Sequence, residues 1–225
     1  MNTSSLRRHD LVWLDPAIDA GLFAAAGQRD LARDWVNRAF PLVVARQSDN
    51  LMQEAGQIML GFTLPSAPMR TRVLLHADRA AIICRSRPLL LSEAMQHAPA
   101  AWRAGLDSLH TLFERTGTEA RVYGSLSSEI FTGMRYLDEA SDLDLLLECD
   151  AATRLRELLA GLEDFVPEVP RIDGEVLSAS GWAVAWRELA FALRAGTQRQ
   201  VLAKSDCEAR LIAVDEFIQP TLLPA

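Results

Sequence analysis

With 225 residues, 49% of them apolar and 24% charged, the chain can bury a core and suits one large domain or two small ones. Its longest apolar runs, such as Leu22–Ala26, Ala80–Cys84 and Leu189–Leu193, fall far short of the ~20 residues of a membrane helix, and no apolar region follows Arg7 and Arg8 as in a secretory signal. A net charge of −7 argues against non-specific nucleic-acid binding, and three scattered cysteines, Cys84, Cys149 and Cys207, fit a reducing cytoplasm rather than a disulfide scaffold.

The front of the chain reads as short strands punctuated by turns. Asp10–Leu14, Pro41–Ala45, Ile58–Phe62, Arg72–His76 and Ala80–Cys84 are apolar runs of strand length, and Asp30–Phe40 reads as a helix stopped by Pro41. These predict a small, mainly antiparallel β domain over residues 1–88. From Arg87-Pro88 the texture changes. Pro99–Arg115 carries Trp102, Leu106, Leu109 and Phe113 at helical spacing, with Gly117 as its stop. Ala120–Tyr123 then reads as a strand, Leu126–Phe131 as a helix and Leu143–Leu147 as a buried strand. Asp150 is placed to cap a helix running to Leu162. Val169–Leu177 reads as a strand bent or broken at Gly174, and Trp182–Arg194 as a helix; Arg199–Lys204 and Ala209–Phe217 are further apolar segments. Alternating strands and helices predict a mixed α/β domain over residues 89–225, so the whole is an α+β protein.

Charge is divided unevenly between these parts. Residues 1–88 hold 11 basic against 8 acidic side chains, and residues 89–225 hold 12 against 22. The basic residues are 22 arginines and one lysine, Lys204.

Chemistry concentrates between Val122 and Leu147. Val122-Tyr123-Gly124-Ser125 is followed by sixteen residues and then by Asp142-Leu143-Asp144-Leu145-Leu146-Leu147. Residues two apart in a strand share a face, so Asp142 and Asp144 project together while Leu143 and Leu145 face the core. Adjacent carboxylates repel unless a cation lies between them, and hard oxygen donors suit Mg²⁺ together with phosphate oxygens. Gly124 lets the backbone approach a ligand closely, and Ser125 opens a helix whose N–H groups and dipole favour an anion. Asp-x-Asp alone is usually a solvated strand face; joined to strand–Gly-Ser–helix it reads as a phosphate cradle opposite a divalent metal.

Residues 122–147 resemble the signature of the DNA polymerase β-like nucleotidyltransferase superfamily, in which Gly-Ser precedes Asp-x-Asp. The gap between the two motifs is longer here than is usual there. A closer resemblance spans most of the chain through Arg8–Leu14, Arg46, Val122–Ser125, Ser141–Leu146, Arg171–Glu175 and Ala185–Leu189. These segments are similar to the phosphoribosyl-dephospho-CoA transferase family of the malonate decarboxylase system, the malonate decarboxylase holo-acyl carrier protein synthases. The resemblance implies a nucleotidyltransferase fold for residues 89–225 and a reaction. The 2′-(5″-phosphoribosyl)-3′-dephospho-CoA group passes from its triphosphate precursor, triphosphoribosyl-dephospho-CoA, to a serine of the apo acyl carrier protein subunit of malonate decarboxylase, and pyrophosphate leaves.

Carried onto this sequence, the superfamily's metal-binding and catalytic carboxylates are Asp142, Asp144 and a third from the next strand. Asp173 is the choice and Glu175 the runner-up, although Asp173-Gly174 also reads as a hairpin-turn dipeptide. Two Mg²⁺ ions, or Mn²⁺ in their place, are expected among them, with Asp173 or Glu175 nearest to take the hydroxyl proton. Gly124 and Ser125 would hold terminal phosphate oxygens, with Arg187 and Lys204 adding positive charge. Arg70, Arg72, Arg79, Arg85 and Arg87 are expected to dock an acidic carrier. His9, His76, His97 and His110 share no zinc spacing. The same residues would also serve an adenylyltransferase of a small molecule or protein hydroxyl, or the equivalent citrate lyase holo-carrier synthase. A nucleotide-binding regulator without turnover has little use for the paired carboxylates.

Overall fold

A computed structural model describes residues 6–17, 23–24, 27–47, 56–65, 70–149, 152–165, 170–196 and 199–218. The chain divides into two units: Met1–Pro88 with Phe131–Tyr136 and Asp206–Glu208, and Leu89–Ile130 with Leu137–Ser205 and Ala209–Ala225.

The first unit is built on a six-stranded antiparallel sheet. Its strands are β1 (Leu11–Leu14), β2 (Phe23–Ala24), β3 (Leu42–Val44), β4 (Gln57–Leu64), β5 (Thr71–Asp78) and β6 (Ile82–Ser86), in the order β2-β5-β4-β3-β1-β6. Period-two alternation is clearest in β5, where Val73, Leu75 and Ala77 are buried while Arg72 and Leu74 face solvent. Helix α1 (Arg29–Asn37) contributes Ala32, Trp35 and Val36 to the core. Trp35 stacks on Phe62 at 4.2 Å, and its Nε1–H donates to the Pro41 carbonyl at 2.9 Å. The helix stops before the expected Phe40 because the chain reverses through Ala39, at φ 55°, and returns Phe40 edge-on to Trp35. Tyr136 is buried in this core and donates its hydroxyl to the Thr63 carbonyl at 2.7 Å. The last strand begins later than expected, since Arg79–Ala81 forms a 3-10 turn before β6.

The second unit carries a seven-stranded mixed sheet. Its strands are β7 (Leu89–Leu90), β8 (Glu119–Tyr123), β9 (Asp142–Glu148), β10 (Arg171–Leu177), β11 (Ala183–Ala185), β12 (Gln200–Lys204) and β13 (Ala209–Ala213), ordered β13-β12-β11-β10-β9-β8-β7. Only β9 and β10 run parallel among the described pairs, and the chain crosses between them through a helix, as parallel neighbours require. Helices α2 (Leu91–Ala94), α3 (Arg103–Thr116), α4 (Gly124–Thr132), α5 (Ala152–Glu163), α6 (Trp186–Ala195) and α7 (Val214–Ile218) complete the unit. The core joins Leu106, Leu109 and Phe113 of α3, Leu158 and Leu162 of α5, and Leu189 of α6 to Leu143, Leu145 and Leu147 of β9, all three 0% exposed. Gly117, at φ 62°, ends α3 as a left-handed cap.

Several local expectations need correction. Residues Trp182–Arg194 are not one helix: Ala183–Ala185 pair with β10 as β11, and α6 begins only at Trp186. Ala209–Phe217 divides into β13 and α7. Gly174 neither breaks β10 nor turns the chain, because Arg171–Leu177 pairs with β9 without a gap. The hairpin-turn reading of Asp173-Gly174 is thereby overturned. β7 and α2 had no sequence signal. The expected cap at Asp150 and strand start at Val169 lie outside the described residues. Among the described residues no helix is long and apolar enough to cross a membrane.

Candidate active site

Three adjacent strands set the site. In β9, Leu143 and Leu145 point into the core, which turns Asp142 and Asp144 to the opposite face. β8 and β10 flank β9, with Tyr123 and Asp173 both register partners of Asp144. Asp144 and Asp173 therefore stand side by side across one strand spacing of ~4.8 Å, on one face of the sheet. By the same alternation Glu175 and Arg171 share that face, Arg171 being the register partner of Asp142.

The Gly-Ser turn meets this row at Asp144. β8 ends at Tyr123 and α4 begins immediately at Gly124, whose φ is 69°. A Cβ on Gly124 would run into the Asp144 carboxylate, so both the backbone angle and the close approach require glycine there. Ser125 follows in the first turn of α4, where unpaired N–H groups and the helix dipole gather. The two motifs are thus in contact, although sixteen residues separate them.

Two cations of the site, Arg171 and Lys204, are already engaged with its acids. Arg171 grips Asp142 with Nε to Oδ1 at 2.5 Å and Nη2 to Oδ2 at 2.7 Å. The hydrogen bond and charge of Asp142, with a smaller contribution from Asp173, hold the guanidinium pKa above its ordinary value. Lys204 Nζ donates to Glu175 Oε1 at 2.9 Å, and Glu175 is only 6% exposed. Asp173 Oδ1 accepts the Gly174 N–H at 2.8 Å. Arg187 donates to the Ile172 carbonyl at 3.1 Å, one residue from Asp173, and lies over the Trp186 ring at 4.3 Å.

The structure therefore gathers Gly124, Ser125, Asp144 and Asp173, sets Asp142 on the same face bound to Arg171, and pairs Lys204 with Glu175. Arg171 was not singled out as a site residue from sequence. Its position two residues before Asp173 in a strand carried the signal, since that spacing puts both on one face.

The donor set fits a hard divalent cation in its chemistry: carboxylate oxygens on one sheet face, opposite a glycine that leaves room beside Asp144. Among the described residues, no three His, Cys, Asp or Glu side chains already converge into a metal-holding group. Asp142 is held by Arg171.

Comparison with known proteins agrees in both units. Residues 7–88 match the family model described as Phosphoribosyl-dephospho-CoA transferase MdcG N-terminal domain, and residues 90–215 match the corresponding C-terminal domain. A phosphoribosyl-dephospho-CoA transferase of Xanthomonas campestris pv. campestris is 36% identical over 207 residues, covering 91% of this chain and 93% of its own. One from Bradyrhizobium diazoefficiens is 35% identical over 217 residues, 94% and 92% of the two chains. One from Pseudomonas putida is 33% identical over 215 residues, 92% and 93%. No solved structure gives a significant match. Identity at this level across more than nine-tenths of each chain, with both domain models matched in order, places the chain in the phosphoribosyl-dephospho-CoA transferase family.

Proposed function

We propose that this transferase moves the 2′-(5″-phosphoribosyl)-3′-dephospho-CoA group from its triphosphate precursor to a serine of the apo acyl carrier protein subunit of malonate decarboxylase. The serine oxygen bonds to the α-phosphorus, the bond from that phosphorus to the bridging oxygen breaks, and pyrophosphate leaves. The carrying observation is the contact of two motifs: Asp144, in register with Asp173, lies against Gly124 where α4 begins. A polyphosphate seated at that helix start meets N–H groups, and the carboxylates face it across the glycine.

Asp142, Asp144 and Asp173 would hold Mg²⁺, as two ions, with Mn²⁺ able to replace it; the metal supplies neutralisation of phosphate charge and a lower hydroxyl pKa. The rest falls to the chain's own side chains. Asp173 takes the serine proton, since Glu175 is buried against Lys204 and less accessible to an acceptor. Gly124 and Ser125 orient the terminal phosphates. Arg187, anchored on the Ile172 carbonyl, adds positive charge at the same end of β10. Lys204, held by Glu175 at 2.9 Å, adds positive charge toward the triphosphate as well. The exposed arginines of the first unit receive the carrier.

Intact-mass measurement of the apo carrier, incubated with enzyme, Mg²⁺ and the triphosphate donor, tests this reading. The carrier mass should rise by the prosthetic group with one pyrophosphate released, and Asp144→Asn should slow this by at least about 10²-fold. An unmodified carrier, with ATP instead adenylylating an acceptor, would assign the site to adenylyl transfer. Modification of a citrate lyase carrier in preference to the malonate decarboxylase one would reassign the partner.

A further inference from the structure

The same two oxygens of Asp142 have two claimants. The Arg171 guanidinium binds both in a fork, at 2.5 Å and 2.7 Å, while the function proposed above needs that carboxylate for a cation. Arg171 also lies within the field of Asp173, two residues along the same strand face. One guanidinium is thus set to balance two of the three carboxylates. Glu175, by contrast, has its own cation in Lys204. Three carboxylates on adjacent strands repel one another unless positive charge is present, and Arg171 supplies it within the chain.

We propose that Arg171 is the resident counter-cation of the carboxylate cluster and competes with the divalent metal for Asp142, so that loading the centre requires the guanidinium to let go. This rests on the metal centre proposed above. The exchange is easy in physical terms. The Arg171 side chain is 70% exposed, so it can swing into solvent without disturbing packing, and an exposed ion pair is a weak competitor. A doubly charged ion displaces it, at an affinity lower than the bare carboxylates would give. Arg171 is therefore a positioning residue, acting on the metal through Asp142.

Mn²⁺ binding to the full-length protein, measured by electron paramagnetic resonance of the free ion without donor or carrier, tests the competition. Arg171→Gln should tighten binding by about two- to fivefold, the scale on which a single exposed ion pair competes. Arg171→Lys keeps the charge but loses the fork, and should fall between that variant and the native protein. A merely structural role for Arg171 would weaken binding instead. Unchanged or weaker binding in both variants overturns the proposal. If the native protein binds Mn²⁺, Asp144→Asn abolishes it and the Arg171 variants match the native value, only the competition fails. If no variant binds Mn²⁺ and Asp144→Asn makes no difference, the metal centre itself is wrong.

Discussion

At the scale of single residues, the chain's one lysine compensates the charge of a buried carboxylate. Lys204 Nζ meets Glu175 at 2.9 Å, and the Glu175 side chain is 8% exposed. A carboxylate so placed is tolerated because a cation accompanies it; removing the cation leaves a buried charge. Lys204→Met should therefore destabilise the fold by about 3 kcal/mol in urea unfolding, the usual result of breaking a buried pair from one side. Adding Glu175→Gln should restore most of that loss, because the charge itself is then gone. A double mutant as unstable as the single one would mean that Lys204 contributes through packing of its stem. The comparison also separates the two carboxylates of β10: with Asp173 as the base, Asp173→Asn should reduce turnover far more than Glu175→Gln does.

Among the elements, those with strong internal periodicity were legible and those made by their neighbours were not. Leu143, Leu145 and Leu147 alternate with Asp142 and Asp144, so β9 and the shared face of its carboxylates follow from the sequence. Trp102, Leu106, Leu109 and Phe113 likewise announce α3 and its approach, and all four are buried. β11 escaped because Ala183–Ala185 are strand only by pairing with Glu175–Leu177, and β7 because Leu89 and Leu90 pair with Val122 and Arg121. The ion pairs of the site escaped for a related reason. Arg171 and Asp142 are 29 residues apart, and only the parallel register of β9 and β10 brings them opposite each other. Gly174 was misleading because its turn chemistry is real, yet another constraint decides the position. Its φ is 142°, and a Cβ there would strike the Leu145 carbonyl of the neighbouring strand. Backbone cannot step aside as a side chain can, so Gly174→Val should cost about 3 kcal/mol or more in chemical denaturation. Activity should fall with it, since the same register holds Asp173 beside Asp144.

Across the whole molecule, sequence order and spatial units do not coincide. The chain leaves the second unit after Ile130, spends Phe131–Tyr136 in the first and returns at Leu137. Phe131 packs edge-on to Trp13, and Arg70 holds the Tyr136 carbonyl at 2.8 Å. The sixteen residues between Gly-Ser and Asp-x-Asp contain this excursion. It also bears on the proposed carrier surface, because it gives Arg70 a structural partner. Arg87 is another poor probe: burial pushes the Asp10 carboxyl up, and Arg87 is one of the charges pulling it back down. Arg72, Arg79 and Arg85 are exposed on the first unit, whose residues 1–88 hold 11 basic against 8 acidic side chains, whereas residues 89–225 hold 12 against 22. An acidic carrier would be attracted to the former and repelled by the latter, an effect that works on encounter and weakens with salt. Arg79→Glu combined with Arg85→Glu should therefore raise the KM for the apo carrier by about tenfold at low ionic strength, with the difference from the native enzyme shrinking as salt is added. The donor KM should stay where it was, because the residues proposed to bind the triphosphate belong to the second unit. A carrier KM that ignores both charge reversals would move the docking site off these arginines and leave the chemistry proposed at Asp144 untouched.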